Sequence, residues 1–183
     1  MNVISNLPNV ISAVRLIIAP IILILLIRME HRIALIIFLA AALSDLLDGY
    51  LARRYQLKTK IGALLDPLAD KLLVFLCVTY FVVLSQAPWW WLAILVLRDV
   101  SLIIGFSLLK TITVPVEIFP TILGKAATAF NMLALVFLMA STFKPILTDP
   151  FIAPLVMLAA FVTLSSFIQY TIKWFAIYRK KER

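Results

Sequence analysis

The chain has 183 residues, of which 64% are hydrophobic and 14% charged, and its formal net charge is +8. A soluble domain of this length has too small an interior to bury so much apolar surface, so the composition excludes an ordinary soluble protein. The basic residues gather near the ends of apolar runs, which favours an anionic lipid surface over nucleic acid as their partner.

Six apolar runs follow one another along the chain, and each is long enough to cross a hydrocarbon core of about 30 Å. With only four glycines and no alternation of period two, the sequence favours helices over a membrane barrel. Residues 1–7 are short and mildly amphipathic, and we expect them to lie along the membrane interface. The sequence therefore predicts an all-α polytopic membrane protein with six transmembrane helices. These cover approximately residues 9–27, 33–50, 61–84, 89–109, 122–142 and 151–177.

The distribution of basic residues predicts the orientation in the membrane. Six spans place both termini on one side, and that side also receives the basic connection after the second run and the basic tail 179–183. Because cytoplasmic loops carry the excess of Lys and Arg, we expect both termini to face the cytoplasm, as in a bacterial plasma membrane. The run Trp89-Trp90-Trp91 fits an aromatic belt at the opposite interface.

Four aspartates stand inside or beside these apolar runs. Asp45 and Asp48 are three residues apart near the end of the second run, and Asp66 and Asp70 are four apart in the opening turns of the third. Each pair therefore shares one face of its helix. A carboxylate in the middle of a membrane span costs roughly 2.5–3.5 kcal/mol on insertion scales, so strong compensation is required. We expect the second and third helices to run antiparallel and the two pairs to meet at similar depth.

Divalent cations compensate such a cluster better than arginines do. Magnesium and manganese prefer carboxylate oxygen, and four carboxylates can hold two ions about 3.5–4 Å apart, which suits in-line displacement at phosphorus. Gly49 and Gly62 leave room for a bulky ligand, Ala52 keeps the same face thin, and Arg53 is placed to reach a phosphate. Tight packing between helices is the alternative explanation for either glycine taken singly.

The stretch 45–70 matches the signature D-x2-D-G-x2-A-R-x8-G-x3-D-x3-D in identity and spacing. The chain thus resembles the CDP-alcohol phosphatidyltransferase family, and eight fixed positions make the match specific. The resemblance implies that residues 1–183 form one membrane domain of six transmembrane helices, that the protein is a homodimer, and that its active site opens at the cytoplasmic interface. The matching residues are Asp45, Asp48, Gly49, Ala52, Arg53, Gly62, Asp66 and Asp70.

The same resemblance assigns roles to these residues. The four aspartates are implied to hold two divalent cations, magnesium or manganese, while the other four residues lie near the cytidine nucleotide. The reaction implied is transfer of the phosphatidyl group of CDP-diacylglycerol to an acceptor hydroxyl, with release of CMP. Asp70, the last aspartate and the deepest in its helix, is the implied catalytic base.

Two basic residues outside the signature are candidate ligands for a phosphate of the acceptor. Arg98 lies within the fourth run, and Lys125 lies about one turn into the fifth. Position inside the membrane favours an anion site over a snorkelling lysine for Lys125. For Arg98 the alternative is a structural ion pair, either with Asp99 or with a signature aspartate.

The acceptor is inferred from resemblance to one branch of the family. Residues 6–20, 97–105 and 120–131 are similar to phosphatidylglycerophosphate synthases and cardiolipin synthases. The former commonly have an acidic residue followed by Gly-Leu-Arg where this chain has Gly105-Phe106-Ser107. That departure favours phosphatidylglycerol, the acceptor of cardiolipin synthases, and glycerol 3-phosphate is the alternative.

Two other classes of protein are compatible with membrane-embedded acids. A cation transporter distributes its acids along a pore, whereas here they cluster at one interface. A non-catalytic scaffold has no need of all eight signature positions. Release of CMP from CDP-diacylglycerol distinguishes an enzyme from both classes.

Overall fold

The computed structural model describes the backbone of residues 3–54, 62–111, 121–143 and 149–181, and the side chains of residues 13–44, 68–105, 121–143, 150–177 and 179. Over this backbone the chain forms six α-helices and no strand, so the all-α prediction is confirmed. The helices are α1 (Val3–Ile27), α2 (His31–Arg54), α3 (Gly62–Val83), α4 (Trp89–Thr111), α5 (Ile122–Ser141) and α6 (Asp149–Lys181).

Four helices, α1, α2, α4 and α6, are longer than the apolar runs that predicted them. α1 begins at Val3, so residues 3–7 of the expected interfacial segment are instead the first part of a continuous helix. α6 has 33 residues and is about 50 Å long at 1.5 Å per residue, which exceeds a hydrocarbon core of about 30 Å. These helices therefore extend beyond the apolar stretch that identifies them in the sequence.

Within the described chain, two helical segments are long and apolar enough to cross a membrane, residues 122–141 and 150–177. Residues 13–27 and 31–44 form shorter apolar helical stretches. These helices indicate a membrane-embedded protein, and the full set of six spans stays a prediction.

The first of two compact units contains α1, α2, α3 and the end of α5, within Met1–Gln86 and Leu135–Thr148. α1 is central to this unit because it packs against both α2 and α3. Its buried residues recur every three or four positions and so form a single face of the helix. Among the described side chains, residues 13–27, they are Arg15, Ala19, Ile22 and Leu26.

Two side-chain contacts show that α1 and α3 run in the same direction. Arg15 contacts Asp70 near the start of α3, and further along both helices Tyr80 Oη donates a 2.7 Å hydrogen bond to the carbonyl oxygen of Leu26. The two contacts are thus eleven residues apart along α1 and ten residues apart along α3. Two parallel helices would give equal spacings. The chain must return through α2 between them, in agreement with the short connections on either side of it.

The second compact unit contains α4, the part of α5 up to Ala134, and α6. Trp91 early in α4 bonds to Asn131 late in this part of α5, whereas Arg98 later in α4 bonds to Gly124 early in α5. The order of contacts is reversed along the two helices, so α4 and α5 are antiparallel.

The contacts of α6 complete the same unit. Asn131 donates to Thr163 Oγ1 over 2.8 Å, and the backbone N–H of Thr121 donates to Tyr170 Oη over 3.1 Å. The order is again reversed, so α6 is antiparallel to α5 and parallel to α4. Its buried polar residues face the neighbouring helices at a spacing of three or four, and they include Thr163, Ser166 and Tyr170.

α1 and α3 end in the same kind of C-terminal cap. Beyond α1, Glu30 N–H donates to the Leu25 carbonyl over 2.9 Å and Met29 N–H donates to the Leu26 carbonyl over 3.0 Å. This pair of bonds defines a Schellman motif, whose central residue adopts a left-handed conformation. Met29 occupies that position with φ 60°, and Ser85 does so after α3 with φ 58°.

Candidate functional site

The helices carry the signature aspartates at positions that suit a common site. Asp45 and Asp48 lie nine and six residues before the end of α2, and Asp66 and Asp70 lie four and eight residues after the start of α3. Both pairs are therefore close to the connection between the two helices. The side chains of Asp45, Asp48 and Asp66 lie outside the described residues, so the convergence of four carboxylates stays a prediction.

Asp70 is the signature aspartate whose side chain is described, and its carboxylate contacts an arginine from α1. Arg15 Nη1 donates to Asp70 Oδ1 over 2.8 Å. The Arg15 side chain is 3% exposed and that of Asp70 is 23% exposed, so the bond joins a buried cation to a partly accessible carboxylate. A charge-assisted bond of this length is among the stronger hydrogen bonds in proteins.

Arg15 was not among the predicted site residues, although the sequence contains a signal for it. Arg15 is a charged residue inside an apolar run, and a buried cation requires a partner. It lies on the same helix face as Ala19 and Ile22, the face that α1 turns to its neighbours. An arginine on such a face must find an acid on a packed helix, and Asp70 of α3 is one.

The donor set fits the divalent cations that the family resemblance implies. Carboxylate oxygen is the ligand that magnesium and manganese prefer, and a carboxylate has enough lone pairs to accept a bond from Arg15 and also bind a metal. Asp70 is partly accessible, as a ligand that meets a substrate must be. Among the side chains that the structure describes, no group of three potential metal ligands occurs; the remaining signature aspartates are outside that set.

For the residues expected near the nucleotide, the structure describes the backbone only. Gly49, Ala52 and Arg53 belong to the last two turns of α2, and Gly62 is the first residue of α3. Along the chain they thus lie next to the connection between the two helices, as the aspartates do. Their side chains and the space around them lie outside the described residues, so their roles stay predictions.

The guanidinium of Arg98 contacts two groups, the Asp99 carboxylate and the Gly124 carbonyl. Its Nη1 lies 3.4 Å from Asp99 Oδ1, so the expected ion pair is present but long. Its Nη2 donates to the carbonyl of Gly124 over 3.2 Å. Its Nε is buried and has no hydrogen-bond partner among the described residues. This guanidinium therefore has donor capacity that its protein contacts do not use.

Lys125 follows directly on the glycine that Arg98 contacts. Its backbone N–H donates to the Thr121 carbonyl over 3.1 Å within the first turn of α5, and its side chain is exposed. The structure thus brings Arg98 to the backbone beside Lys125, which the sequence alone did not predict. No contact between the two side chains is described.

α6 adds polar atoms to this unit that sequence reasoning did not identify. Ser166 Oγ and Gln169 Oε1 are buried and have no hydrogen-bond partner within the described part of the chain. Tyr170 Oη binds the Thr121 N–H in the turn before Lys125. Polar residues at helical spacing within an apolar run are the sequence signal that marks such a face.

Comparisons with known proteins agree with the signature. Residues 5–178 match the model of the family described as CDP-alcohol phosphatidyltransferase. A CDP-diacylglycerol–glycerol-3-phosphate 3-phosphatidyltransferase of Aquifex aeolicus (strain VF5) is 34% identical, over 96% of this chain and 99% of its own length. The enzyme of the same name from Bacillus subtilis (strain 168) is 31% identical, over 94% and 97%.

A further relative carries a different name. The cardiolipin synthase (CMP-forming) / mitochondrial hydrolase fusion protein of Schizosaccharomyces pombe (strain 972 / ATCC 24843) is 31% identical, over 92% of this chain and 31% of that protein. The two bacterial relatives are matched over nearly their whole length, and their name specifies glycerol 3-phosphate. The comparisons therefore favour glycerol 3-phosphate over phosphatidylglycerol, the acceptor that the departure at residues 105–107 favoured.

Proposed function

Because the chain belongs to the CDP-alcohol phosphatidyltransferase family, we propose that it transfers the phosphatidyl group of CDP-diacylglycerol to a hydroxyl of glycerol 3-phosphate and releases CMP. The observation that carries the choice of acceptor is the nearly full-length similarity to enzymes named for glycerol 3-phosphate. The product of this reaction is phosphatidylglycerophosphate.

The chemistry makes definite demands on the protein. The acceptor oxygen forms a bond to the lipid-side phosphorus, the bond from that phosphorus to the CMP oxygen breaks, and the acceptor hydroxyl gives up a proton. Two divalent cations held by Asp45, Asp48, Asp66 and Asp70 would neutralise the negative charge of the CDP-diacylglycerol pyrophosphate as CMP leaves. Chelation of divalent cations is therefore expected to abolish CMP release, and magnesium or manganese is expected to restore it.

Asp70 is the proposed proton acceptor. Its side chain is partly exposed, so a substrate hydroxyl is able to approach its carboxylate. Its Oδ1 accepts a 2.8 Å hydrogen bond from Arg15 Nη1. Gly49, Ala52, Arg53 and Gly62 are proposed to bind the cytidine nucleotide beside it, close to the connection between α2 and α3.

Arg98 and Lys125 are proposed to bind the acceptor phosphate. The phosphate monoester of glycerol 3-phosphate carries a charge of about −1.5 to −2 at neutral pH, whereas the phosphodiester of phosphatidylglycerol carries a single charge. Two cations therefore match glycerol 3-phosphate better. The unused Nε donor of Arg98 and the exposed ammonium of Lys125 support this assignment.

The location of the reaction follows from its substrates. CDP-diacylglycerol is held in the bilayer, while glycerol 3-phosphate and CMP are water-soluble, so the site must lie at a membrane surface. We propose a bacterial plasma membrane with the active site and both termini on the cytoplasmic side, in agreement with the positions of the basic residues. Residues 1–183 would form one membrane domain that assembles as a homodimer.

Phosphatidylglycerol is the second candidate acceptor. It is supported by the similarity to the cardiolipin synthase part of the fusion protein and by the sequence Gly105-Phe106-Ser107. Transfer to this acceptor yields cardiolipin in place of phosphatidylglycerophosphate.

An acceptor panel tests the proposal. Purified protein receives CDP-diacylglycerol and magnesium together with glycerol 3-phosphate, phosphatidylglycerol, inositol phosphate or serine, and the lipid products are identified by mass spectrometry. We expect phosphatidylglycerophosphate from the first acceptor only. Cardiolipin as the main product would establish the second candidate, and the absence of any transfer product would overturn both.

A further inference from the structure

The contact between Arg15 and Asp70 joins a helix outside the signature to a residue inside it. The guanidinium is almost completely buried, whereas the carboxylate is partly accessible. Arginine side chains usually keep their charge in water, so burial of this one requires a specific partner. The 2.8 Å bond to Asp70 Oδ1 supplies that partner.

We propose that Arg15 is a positioning residue for Asp70. By donating to Oδ1 it holds the carboxylate plane in one orientation, and its positive charge offsets the repulsion expected among the signature aspartates. The inference rests on the proposed function, because that function gives Asp70 its role. It adds a residue from α1 to a site otherwise assigned to α2 and α3.

The surroundings of Arg15 suit this task. The contact lies near the start of α3, and a second contact from Leu26 of α1 to Tyr80 fixes the alignment of the two helices further along. Ala19 and Ile22 are fully buried on the same face of α1, so the backbone that carries Arg15 is itself packed. The χ2 torsion of an aspartate is broad and roughly two-fold, so a fixed donor gives its carboxylate a defined orientation.

A purely structural ion pair is the competing explanation, and it makes different predictions. A purely structural ion pair stabilises the fold. Its loss is therefore expected to reduce turnover and metal affinity together, to the extent that the protein unfolds. A positioning residue affects turnover more than substrate binding. In addition, removal of its positive charge leaves the aspartates more attractive to a cation, so metal affinity stays the same or increases.

The test compares Arg15→Met, which keeps the length of the side chain but removes its charge and donors, with Arg15→Lys. Arg32→Met is the matched control, because Arg32 is exposed and its guanidinium lies over the ring of Phe143 at 5.5 Å. Three quantities are measured for each protein: kcat and KM for CDP-diacylglycerol with glycerol 3-phosphate, the thermal unfolding midpoint without metal, and the affinity for Mn²⁺ by electron paramagnetic resonance.

For Arg15→Met we expect kcat to fall by about tenfold or more, KM to change by less than about threefold, and Mn²⁺ to bind at least as tightly as in wild type. Arg15→Lys is expected to recover part of kcat, and Arg32→Met to behave as wild type. Wild-type kcat in folded Arg15→Met would overturn the proposal, as would a loss of Mn²⁺ affinity that parallels a loss of stability.

Asp70→Asn shows whether Arg15 acts through Asp70. If it does, Arg15→Met lowers turnover much less in the Asp70→Asn protein than in wild type, since the two residues work as one unit. Equal factors in the two backgrounds would contradict the proposal. If Arg15→Met does not fold, Arg15→Lys decides: a kcat at least threefold below wild type at an unchanged unfolding midpoint supports positioning, and wild-type kcat refutes it.

Failure of the proposed function gives a different result. A wild-type protein that releases no CMP with any acceptor refutes the function itself. The Mn²⁺ affinities and unfolding midpoints of Arg15→Met, Asp70→Asn and the double variant then still report on the pair. Coupling between the two substitutions in Mn²⁺ affinity would support the inference, and strict additivity would overturn it.

Discussion

Trp91 and Asn131 are joined by a fully buried hydrogen bond, in which the indole Nε1 donates to the amide Oδ1 over 2.8 Å. The amide nitrogen of Asn131 in turn donates to the Ala127 carbonyl over 2.7 Å and to Thr163 Oγ1 over 2.8 Å. One side chain of α5 therefore links α4 to α6. Inside an apolar interior, each of these groups depends on the others for its hydrogen bonds.

Asn131→Ala is expected to lower the free energy of unfolding by about 1–3 kcal/mol, because it leaves the Trp91 N–H buried without its partner. The measurement is the thermal unfolding midpoint in detergent, followed by tryptophan fluorescence and circular dichroism. Ser165→Ala is the control, since its hydroxyl bonds only to the Phe161 carbonyl on the outside of α6. Equal losses in the two variants would show that the Trp91 bond contributes nothing.

Gly105 packs directly against the indole ring of Trp174. A Cβ at position 105 would lie 2.5 Å from the Cε3 and Cζ3 atoms of that ring. Gly→Ala inside a helix normally stabilises it by up to about 1 kcal/mol, but here we expect overpacking to destabilise by about 1–3 kcal/mol. The unfolding midpoint of Gly105→Ala should therefore fall.

The partner ring provides the control for this prediction. In a Trp174→Leu background the obstructing ring atoms are gone, and Gly105→Ala should become neutral or stabilising. A decrease of the same size in both backgrounds would contradict the steric explanation.

Ser85 adopts a left-handed conformation that side chains disfavour. With φ 58° it occupies the position in the C-terminal cap of α3 where glycine is the most common residue. Ser85→Gly is expected to stabilise the protein by roughly 0.5–1 kcal/mol, because glycine adopts this conformation without strain. The neighbouring Gln86→Gly is the control; it removes a side chain without relieving a positive φ and should not stabilise. A lower midpoint for Ser85→Gly would contradict the cap assignment.

Lys125 is expected to bind the phosphate of the small acceptor. Lys125→Met should raise KM for glycerol 3-phosphate by about tenfold, the loss of one charge-assisted bond, and leave KM for CDP-diacylglycerol nearly unchanged. Lys173→Met is the matched control, since Lys173 is an exposed lysine on α6. A rise in KM for both substrates, or an equal rise in the control, would remove Lys125 from the acceptor site.

Helix positions followed closely from the sequence because apolar composition is nearly continuous within each run. α5 was predicted at residues 122–142 and ends at Ser141, and α3 was predicted at 61–84 and runs from Gly62 to Val83. The start of α1 and the ends of α2 and α6 were missed because the additional residues there are more polar. Helix geometry continues there, whereas apolar composition does not.

Side-chain partners were harder to predict, as the tryptophan run illustrates. Trp89 is 72% exposed and suits the expected aromatic belt, but Trp91 is fully buried and bonds to Asn131, so the belt interpretation was wrong for Trp91. Residues that are two positions apart on a helix, such as Trp89 and Trp91, point in different directions. Composition alone does not show which of them is buried. Arg15 was missed for the same reason: its role depends on a contact 55 residues away in the chain.

The signature could be recognised from sequence because it consists entirely of residue identities at fixed spacings. Asp45, Asp48, Asp66 and Asp70 occupy the predicted helices, near the predicted connection. The acceptor could not be derived in the same way. If Arg98 and Lys125 bind the acceptor as proposed, its identity depends on the space and charge around them, which are properties of packed helices.

The most direct test of a phosphatidyltransferase centred on Asp70 is the rate of CMP release by purified wild-type and Asp70→Asn proteins. Both receive CDP-diacylglycerol, glycerol 3-phosphate and magnesium, and unfolding midpoints confirm that both are folded. We predict that wild type releases one CMP for each phosphatidylglycerophosphate formed, and that Asp70→Asn is slower by about 100-fold or more, the contribution of a positioned base. Undiminished CMP release by Asp70→Asn, or no release by wild type, would contradict a phosphatidyltransferase centred on Asp70.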